Sequence, residues 1–306
     1  MNIAYLVLAH RNPLLLARQI RLLTSPRAAF HIHIDAKVDI RPFLGIRGNN
    51  VSFSPSRVRV YWAEYSMIDA ILLLMREALA ARQRYDYFVL LSGSDYPLRS
   101  ASYISEFLDR NEGTDFISLV PIPNDDAGIP LSKITNFRAE SNRPVLKLAT
   151  RLAGKLGIAR RDIGKHLGSL VPCGGSTWWT LTRRSCEYIL DFVGRNERVC
   201  DFFRGTFAPD ETLFHTILGN GPFRSRIKRC LMYDDWLTVG ANPAHPAYIG
   251  EEHIRYFSKS RRIVFEDVFG SGEMLFARKF SDDNLDVVRR VEAMIESMES
   301  PHATDA

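Results

Sequence analysis

The sequence predicts an α/β protein with a mainly parallel central sheet and flanking helices. Residues Ile3–Ala9 form a continuous apolar run, which is typical of a strand buried on both faces of a sheet. Further apolar runs alternate with helical patterns across short links, as expected for parallel strands joined by right-handed crossovers. The chain has 306 residues, 46% hydrophobic and 25% charged, so it can form a large core without a disulfide or metal.

The elements of the N-terminal half follow from apolar patterning and from the residues that begin helices. Pro13 suits the first turn of a helix, and the leucines that follow it supply an apolar face. Ser66–Ala80 is a strongly apolar helical stretch. The predicted strands are Ile3–Ala9, Ala29–Ile34, Val58–Tyr61, Tyr87–Leu91 and Phe116–Pro121, and the predicted helices are Pro13–Thr24, Ser66–Ala80 and Ser100–Asn111.

The second half of the chain is less regular, because a basic segment separates its first elements. The predicted elements are helices at Val145–Leu156, Ser185–Arg195, Asp210–Leu218 and Ser281–Met298, a strand at Gly174–Leu181 and a loop at Val239–Gly250. The tail from residue 299 to residue 306 is expected to be disordered.

Charge and cysteine content exclude several classes of protein. The 40 Lys and Arg against 35 Asp and Glu give a net charge of +5, which fits an anionic ligand and falls short of nucleic-acid binding. The four cysteines lack the spacing of a metal site or a disulfide framework, which indicates a reducing compartment. The chain has no run long enough for a transmembrane helix, and its apolar start lacks the features of a signal peptide. We therefore expect a cytoplasmic protein.

Polar residues follow three of the predicted strands, at the edge where an open α/β sheet binds ligands. They are His10-Arg11, Asp35-Ala36-Lys37 and Ser92-Gly93-Ser94-Asp95. Asp35 can accept hydrogen bonds from a ribose or a base edge, or it can cap the following turn. The chain lacks the glycine-rich motifs of Rossmann dinucleotide enzymes and P-loop NTPases, and the G-x-S-x-G elbow of serine hydrolases.

Two charged motifs lie in apolar surroundings further along the chain. Pro209-Asp210-Glu211 begins a predicted helix, where two acids either satisfy the helix dipole or supply a general base. Arg278-Lys279 lies between Phe276 and Phe280. These two cations either face solvent from a surface strand or bind a diphosphate, with the arginine as a bidentate fork and the lysine as a point charge.

Together these motifs resemble glycosyltransferase family 14, which contains the core-2/I-branching β-1,6-N-acetylglucosaminyltransferases and the peptide O-xylosyltransferases. The similar segments occur in the family's order and are Ala4–Arg11, Phe30–Lys37, Val60–Met75, Tyr87–Arg99, Gly174–Leu190, Pro209–Leu218 and Leu275–Phe280. The glycine- and tryptophan-rich segment and the FARKF segment favour the xylosyltransferase branch, whereas Pro-Asp-Glu is closer to the N-acetylglucosaminyl branch.

The resemblance implies a GT-A-type fold and an inverting transfer of N-acetylglucosamine or xylose from a UDP-sugar. Most GT-A enzymes bind the diphosphate through a metal held by an Asp-x-Asp motif, which this chain lacks. The family is similar in replacing that metal with basic side chains, so no metal or other cofactor is expected. The resemblance also implies one domain over residues 1–298, with a nucleotide-binding part at about 1–122, a basic insertion at about 124–169 and an acceptor-binding and catalytic part at about 170–298.

Residues that match the family's motifs receive roles from the resemblance. Glu211 would take the proton from the acceptor hydroxyl, and Arg278 and Lys279 would stabilise the charge on the departing UDP. The positions near UDP and the donor sugar correspond to His10, Asp35, Trp62, Asp95 and Arg255. The positions near the sugars and the acceptor correspond to Gly174, Gly175, Ser176, Trp178 and Asp210. For Trp178 and Trp179, packing in the core is the alternative to stacking on a sugar.

The chain also departs from the animal members of the family, which carry a membrane anchor and disulfides. Its first strand is predicted from residue 3, and Cys173 stands where the xylosyltransferase branch has an acid. A bacterial-type enzyme that builds a polysaccharide or a lipid-linked glycan fits better, with a glycan, lipid-linked or protein acceptor. The alternative is a catalytically silent nucleotide- or glycan-binding protein of the same fold.

The basic segment can be interpreted in three ways. Its cationic residues are Lys133, Arg138, Arg143, Lys147, Arg151, Lys155, Arg160, Arg161, Lys165 and His166. They can form a solvated surface with one amphipathic helix, a loop over the acceptor site, or a peripheral docking surface for an anionic membrane such as the inner face of the plasma membrane.

Overall fold

The computed structural model describes residues 1–139, 144–155, 160–236, 238–239 and 245–299. Its strands are β1 (Ile3–Ala9), β2 (Ala28–Ile34), β3 (Val51–Phe53), β4 (Tyr87–Ser92), β5 (Asp95–Pro97), β6 (Asp115–Phe116), β7 (Val120–Pro121), β8 (Cys173–Gly174), β9 (Thr180–Thr182), β10 (Ile227–Lys228), β11 (Met232–Asp234), β12 (Val264–Asp267), β13 (Gly270–Glu273) and β14 (Phe276–Arg278).

Eleven α-helices lie in the same described ranges. They are α1 (Pro13–Leu23), α2 (Ser66–Leu79), α3 (Ala101–Arg110), α4 (Ser132–Thr135), α5 (Pro144–Lys155), α6 (Ile163–Leu167), α7 (Arg183–Arg195), α8 (Glu197–Arg204), α9 (Leu213–Gly219), α10 (Glu251–Phe257) and α11 (Leu285–Glu299). Short 3₁₀ turns occur at Arg41–Phe43, Pro209–Glu211, Arg224–Arg226 and Asp282–Asn284.

The central sheet has seven strands in the order β10-β6-β9-β4-β1-β2-β3. The pairs β1–β2, β1–β4, β2–β3 and β6–β10 are parallel, and only β9 runs antiparallel to its neighbours β4 and β6. All seven residues of β1 are buried, as its continuous apolar run predicts. The predicted α/β class with a mainly parallel sheet is confirmed.

The register of the parallel strands brings their carboxyl ends to one edge. Ala9 pairs with Ile34, and Leu8 pairs with Ser92. His10, Asp35 and the turn after Ser92 therefore lie close together at that edge.

A smaller sheet, β11-β14-β5, packs with α1, α10 and α11 around a second apolar cluster. Side chains from these elements that are buried in the cluster include Leu15, Tyr96, Phe257, Ala277 and Val288. The first turn of α1 is tied to this region because its backbone N–H groups at Leu14 and Leu15 donate to Asp282 at 3.2 and 2.7 Å. A carboxylate at a helix N-terminus satisfies donors that the helix itself cannot.

The predicted strand Val58–Tyr61 is wrong, and the third strand of the sheet is β3, seven residues earlier. Side chains take up the backbone N–H groups that a strand would need. Val58 donates to His33 Nε2 at 2.8 Å, Val60 to Asp35 Oδ1 at 3.3 Å and Tyr61 to Ser66 Oγ at 2.8 Å. The segment is therefore held as irregular chain beneath the sheet edge.

Two long predicted strands are each divided in the structure. Phe116–Pro121 contains the end of β6, in the central sheet, and β7, which pairs with β8 in a separate two-stranded sheet. Gly174–Leu181 likewise spans the end of β8 and the start of β9. Between β8 and β9 the chain runs without strand pairing, and it is this stretch that borders the site described below.

The predicted helix Asp210–Leu218 is a 3₁₀ turn followed by α9, because Thr212 leaves helical backbone geometry at φ −139°. Helices α8 and α10 and the β12–β13 hairpin have no counterpart in the prediction.

The predicted helix at Val145–Leu156 corresponds to α5, but Leu156 lies outside the described residues, as do residues 300–306 of the predicted tail and residues 240–244 of the predicted loop. Among the described helices none is both long and apolar enough to cross a membrane.

Replacing Asp115 with alanine is expected to lower the free energy of unfolding by about 2–3 kcal/mol. The buried Asp115 carboxylate accepts from the Thr182 backbone N–H at 2.7 Å and from Ser185 Oγ at 2.5 Å, so it joins β6 to the start of α7. Asp115→Ala leaves both donors buried without an acceptor. The measurement is the urea unfolding midpoint with an unchanged m value. Asp201→Ala, on the exposed side of α8, should shift stability by no more than about 0.5 kcal/mol; equal midpoints for the two variants would contradict this assignment.

Candidate active site

Asp35 and His10 lie at the carboxyl edge of the central sheet. Asp35 is buried, and its Oδ1 accepts from the backbone N–H groups of Lys37 at 2.8 Å and Val60 at 3.3 Å. It therefore caps the following turn, while its Oδ2 faces the Lys37 ammonium at 3.5 Å. Burial and then the positive charge of Arg11 lower the pKa of His10, whereas the negative charge of Asp35 raises it. Three positive charges, those of Arg11, Lys37 and Lys279, act on His10 against the one negative charge of Asp35.

Asp95 and Arg278 face each other across the smaller sheet. Arg278 is in register with Asp95 on one side and with Asp234 on the other. Asp95 is fully buried, and accepts from the Ser92 backbone N–H at 2.6 Å and from Ser92 Oγ at 2.8 Å. Its Oδ1 lies 3.7 Å from Arg278 Nε. Burial raises the pKa of Asp95, and the Arg278 charge works in the other direction.

Lys279, next to Arg278, is buried and near other cations. Burial, followed by the charges of Arg11 and Arg278, lowers the pKa of Lys279 to about 8. Its ammonium lies 5.5 Å from the centre of the Tyr248 ring. A lysine in this state gains strongly from an anion that neutralises the surrounding positive charge.

Trp178 connects this cationic group to the acidic residues. The Arg278 guanidinium lies over the Trp178 ring at 4.2 Å from its centre. Thr177, the preceding residue, donates from Oγ1 to Asp210 Oδ2 at 2.7 Å. The consecutive residues Thr177 and Trp178 therefore contact Asp210 of the Pro209–Glu211 turn and Arg278 of the cationic pair.

Gly175 allows that segment to lie close to its neighbours. A Cβ at this position would be 1.8 Å from the Ser118 carbonyl oxygen, so no other residue fits without moving the backbone. The Gly175 N–H donates to the Glu211 carbonyl at 3.1 Å. A Cβ on Gly174 would be 3.2 Å from that same carbonyl. The next residue of the segment, Ser176, is also held through its backbone, because the buried His215 donates from Nε2 to the Ser176 carbonyl at 3.0 Å.

The two acids of the Pro209–Glu211 turn have different environments. Asp210 is buried, and its Oδ1 has no hydrogen-bond partner in the described part of the chain. Burial and then the nearby Glu211 charge raise the pKa of Asp210 to about 6. The Glu211 side chain is partly exposed and forms an ion pair with Lys133 Nζ from α4. Glu211 is thus the acid that a solvent-borne substrate can reach.

Trp62 lies beside the same turn and not with Asp95. Its side chain is 67% exposed and meets the Phe207 ring edge-on at 5.6 Å, and the Arg138 guanidinium lies 4.2 Å from the centre of the Phe207 ring. The Ala208 N–H donates to the Ala63 carbonyl at 3.1 Å, which ties the Trp62 loop to the start of the turn.

The remaining predicted residues fall into two groups. Trp179 is buried and packs edge-on against Phe214 at 6.3 Å, so its core-packing alternative is the one observed. Arg255 is exposed on α10 and lies 3.8 Å from Glu252 of the same helix. Its contacts in the described structure do not join it to Arg278 and Lys279.

Three residues of the site are not identifiable from local sequence patterns. Lys133 was included only as one cation of the basic segment, yet it contacts Glu211, 78 residues further along the chain. Thr177 has no distinguishing pattern, and Tyr248 falls in a stretch predicted only as loop. Their roles depend on long-range packing, which spacing along the chain does not encode.

Chemically, the arrangement offers a reachable carboxylate on one side and a group of cations on the other. Such a pair can remove a proton from a hydroxyl while stabilising an anionic leaving group. Within the described residues there is no group of three or more His, Cys, Asp or Glu side chains that could hold a metal ion.

Comparisons with known proteins identify the family of the chain. A family model described as Core-2/I-Branching enzyme matches residues 3–258. Human xylosyltransferase 1 is 27% identical over 232 residues, which is 72% of this chain and 22% of that protein. Xylosyltransferase oxt of Drosophila pseudoobscura pseudoobscura is 24% identical over 210 residues, which is 66% of this chain and 22% of that protein. The chain thus spans less than a quarter of the length of these relatives.

A solved structure described as a glucose-1-phosphate thymidylyltransferase of Bacillus anthracis, with sucrose, is also similar. It is 9% identical, and the match covers 65% of this chain and 80% of that chain with a TM-score of 0.30. We draw nothing from a likeness at this level.

Proposed function

Since the chain belongs to the core-2/I-branching enzyme family, we propose that it is an inverting glycosyltransferase that moves a sugar from a UDP-sugar to an acceptor hydroxyl. The observation that carries the proposal is that the adjacent residues Thr177 and Trp178 contact Asp210, which precedes Glu211, and Arg278, which precedes Lys279. Xylose and N-acetylglucosamine are the proposed donor sugars, because the relatives include xylosyltransferases and the family is that of the core-2/I-branching enzymes. The proposal places a nucleotide-binding part at about residues 1–122 and an acceptor-binding and catalytic part, which also supplies Arg278 and Lys279, at about 170–298.

In the proposed reaction the acceptor hydroxyl oxygen attacks C1 of the donor sugar. The bond from C1 to the UDP oxygen breaks, and its electron pair leaves with UDP. Glu211 takes the hydroxyl proton. Lys133 holds the Glu211 carboxylate in the free protein, and an acceptor hydroxyl would take the place of the lysine at this carboxylate.

The charge that develops on UDP is the largest electrostatic change in this reaction. Lys279 and Arg278 are proposed to stabilise it in place of a metal ion. Their surroundings support the assignment, because Asp95 and Trp178 contact Arg278 while the charges of Arg11 and Arg278 act on Lys279. His10 and Asp35, at the same edge of the sheet, are proposed to contact the uridine.

The acceptor side is proposed to include Trp62 and the backbone of Gly174–Ser176, while the buried Asp210 positions the neighbouring Thr177. Trp62 presents an exposed indole that Phe207 holds in place, next to the turn that carries Glu211. An indole face of this kind can stack on a sugar ring. This position favours a contact with a glycan acceptor, whether free, lipid-linked or attached to protein, and not a place in the donor pocket.

Glu211→Gln is expected to reduce UDP release from UDP-xylose or UDP-N-acetylglucosamine by about 10²–10⁴-fold, because the amide cannot accept the proton. Its affinity for UDP should remain that of the wild type, since the side chain does not contact the diphosphate in this account. Calorimetric titration with UDP alongside the turnover assay separates the two effects. Glu197→Gln, on the exposed face of α8, is the matched control and should leave both unchanged.

Full turnover by Glu211→Gln would show that Glu211 is not the base. Wild-type protein that binds UDP but releases none from any UDP-sugar would instead support the catalytically silent alternative.

UDP affinity is expected to fall as the pH rises through about 8, the pKa of Lys279 in the free protein. Below that pH the ammonium is protonated and attracts the diphosphate, and above it the free protein must take up a proton to bind, which weakens binding by at most about tenfold per pH unit. Titration of UDP at pH 7, 8 and 9 measures this slope.

Lys279→Arg should bind UDP with little change over the same range, whereas Lys279→Ala should bind more weakly already at pH 7. Lys259→Ala, an exposed lysine of the loop after α10, serves as the control for overall charge. Unchanged UDP affinity in Lys279→Ala would exclude Lys279 from the diphosphate site.

A further inference from the structure

Helix α5 exposes a continuous apolar face to solvent. Val145 is 82% exposed, Leu148 is 59% exposed and Leu152 is 53% exposed, and Leu146 is exposed as well. Positions 145, 148, 149 and 152 follow the spacing that puts residues on one side of an α-helix. In a water-soluble protein such a side normally faces the core, so its exposure marks an interaction surface. We refer to Val145, Leu148 and Leu152 as the α5 face.

The helix packs on the protein through a different side. Thr150 is buried, and its hydroxyl accepts from the Ala139 N–H at 3.3 Å. Further along the segment, Arg161 lies over the Phe202 ring at 4.2 Å and donates to the Ile134 carbonyl at 2.8 Å. These contacts mount the basic segment on the body of the protein and leave the α5 face directed away from it.

The sequence of the segment that contains α5 is strongly basic. Between residues 133 and 165 the sequence has nine Lys and Arg against two acids, Glu140 and Asp162. In the sequence of α5 itself, Lys147, Arg151 and Lys155 recur every four residues. Arg160 and Lys165, beyond the helix, are exposed.

Apolar and cationic residues on one short helix fit a particular occupant. A helix that lies in a membrane interface buries its apolar side among the lipid chains while its cations attract anionic headgroups. A nucleic acid would bind the cations, but its bases stack on aromatic side chains and not on branched aliphatic ones. A protein partner or a second copy needs no excess of positive charge.

We propose that the α5 face docks on the surface of a lipid bilayer that contains anionic lipid. Thr150 of α5 binds Ala139, and the neighbouring Arg138 lies over Phe207, just before the Pro209–Glu211 turn, so docking would bring this turn close to the bilayer. Resting on the proposed function, this arrangement favours an acceptor glycan linked to a membrane lipid. The docking itself does not depend on that function.

The test is flotation of the full chain with vesicles of phosphatidylcholine mixed with phosphatidylglycerol, compared with vesicles of phosphatidylcholine alone. The wild type is expected to bind the anionic vesicles at least about tenfold more tightly than the neutral ones, and to lose most of this preference at high salt. Leu148→Glu and Leu152→Glu should each weaken binding about tenfold or more, because an acid at these positions opposes both the apolar and the electrostatic contribution.

Val264→Glu is the matched control. It introduces the same charge at an exposed aliphatic residue of β12, away from the α5 face, and should bind as the wild type does. Because all three positions are exposed, thermal unfolding midpoints should agree among the variants, which separates lost docking from lost folding.

Equal binding to the two kinds of vesicle, no binding to either, or unchanged binding by Leu148→Glu would each overturn the proposal. Concentration-dependent self-association of the wild type that Leu148→Glu abolishes, without vesicle binding, would assign the α5 face to a second copy instead. UDP titration of the same samples keeps the conclusions apart. Vesicle binding without UDP binding would contradict the proposed function and support the docking. UDP binding without vesicle binding would contradict the docking and leave the proposed function in place.

Discussion

The Arg278 guanidinium is enclosed by groups that come from three distant parts of the chain. Asp95 lies 3.7 Å from its Nε, Asp234 is its register neighbour on the other strand, and the Trp178 ring lies beneath it. The Arg278 side chain is only 14% exposed, and the acids and the aromatic face around it offset the cost of removing most of its water. The position of Lys279 depends on these contacts of Arg278, because Arg278 and Lys279 are consecutive in the chain. The smaller sheet is thereby fixed to the segment that borders Glu211.

The rest of the site follows from how closely the chain can approach itself at that segment. Gly175 has no room for a side chain against Ser118, and its N–H reaches the Glu211 carbonyl. The Pro209–Glu211 turn is thus held through the Glu211 backbone carbonyl. The Glu211 carboxylate is contacted separately by Lys133, which comes from another segment. Burial keeps Asp210 apart from solvent and leaves Glu211 as the acid that substrate can reach.

Features with strong local signals were predictable from the sequence. The apolar run of β1 and the proline that opens α1 predicted both elements nearly to the residue. The two charged motifs identified Asp210 and Arg278, which the fold places against the adjacent residues Thr177 and Trp178. Features that depend on distant partners were not. Val58–Tyr61 has a strand-like pattern, yet side chains such as His33 and Asp35 accept from its N–H groups. No local pattern indicates that Lys133 contacts Glu211 either, since the pairing exists only once the basic segment is packed.

The central claim is that basic side chains, and no metal, bind the diphosphate. Thermal unfolding with UDP and a series of UDP-sugars, first in EDTA and then with Mn²⁺, tests it most directly. At about 100 times its Kd a ligand adds about 2.7 kcal/mol to the free energy of unfolding, which corresponds to a shift of several degrees. The account predicts that UDP gives this shift in EDTA and that Mn²⁺ adds little. A shift seen only when Mn²⁺ accompanies UDP would contradict it.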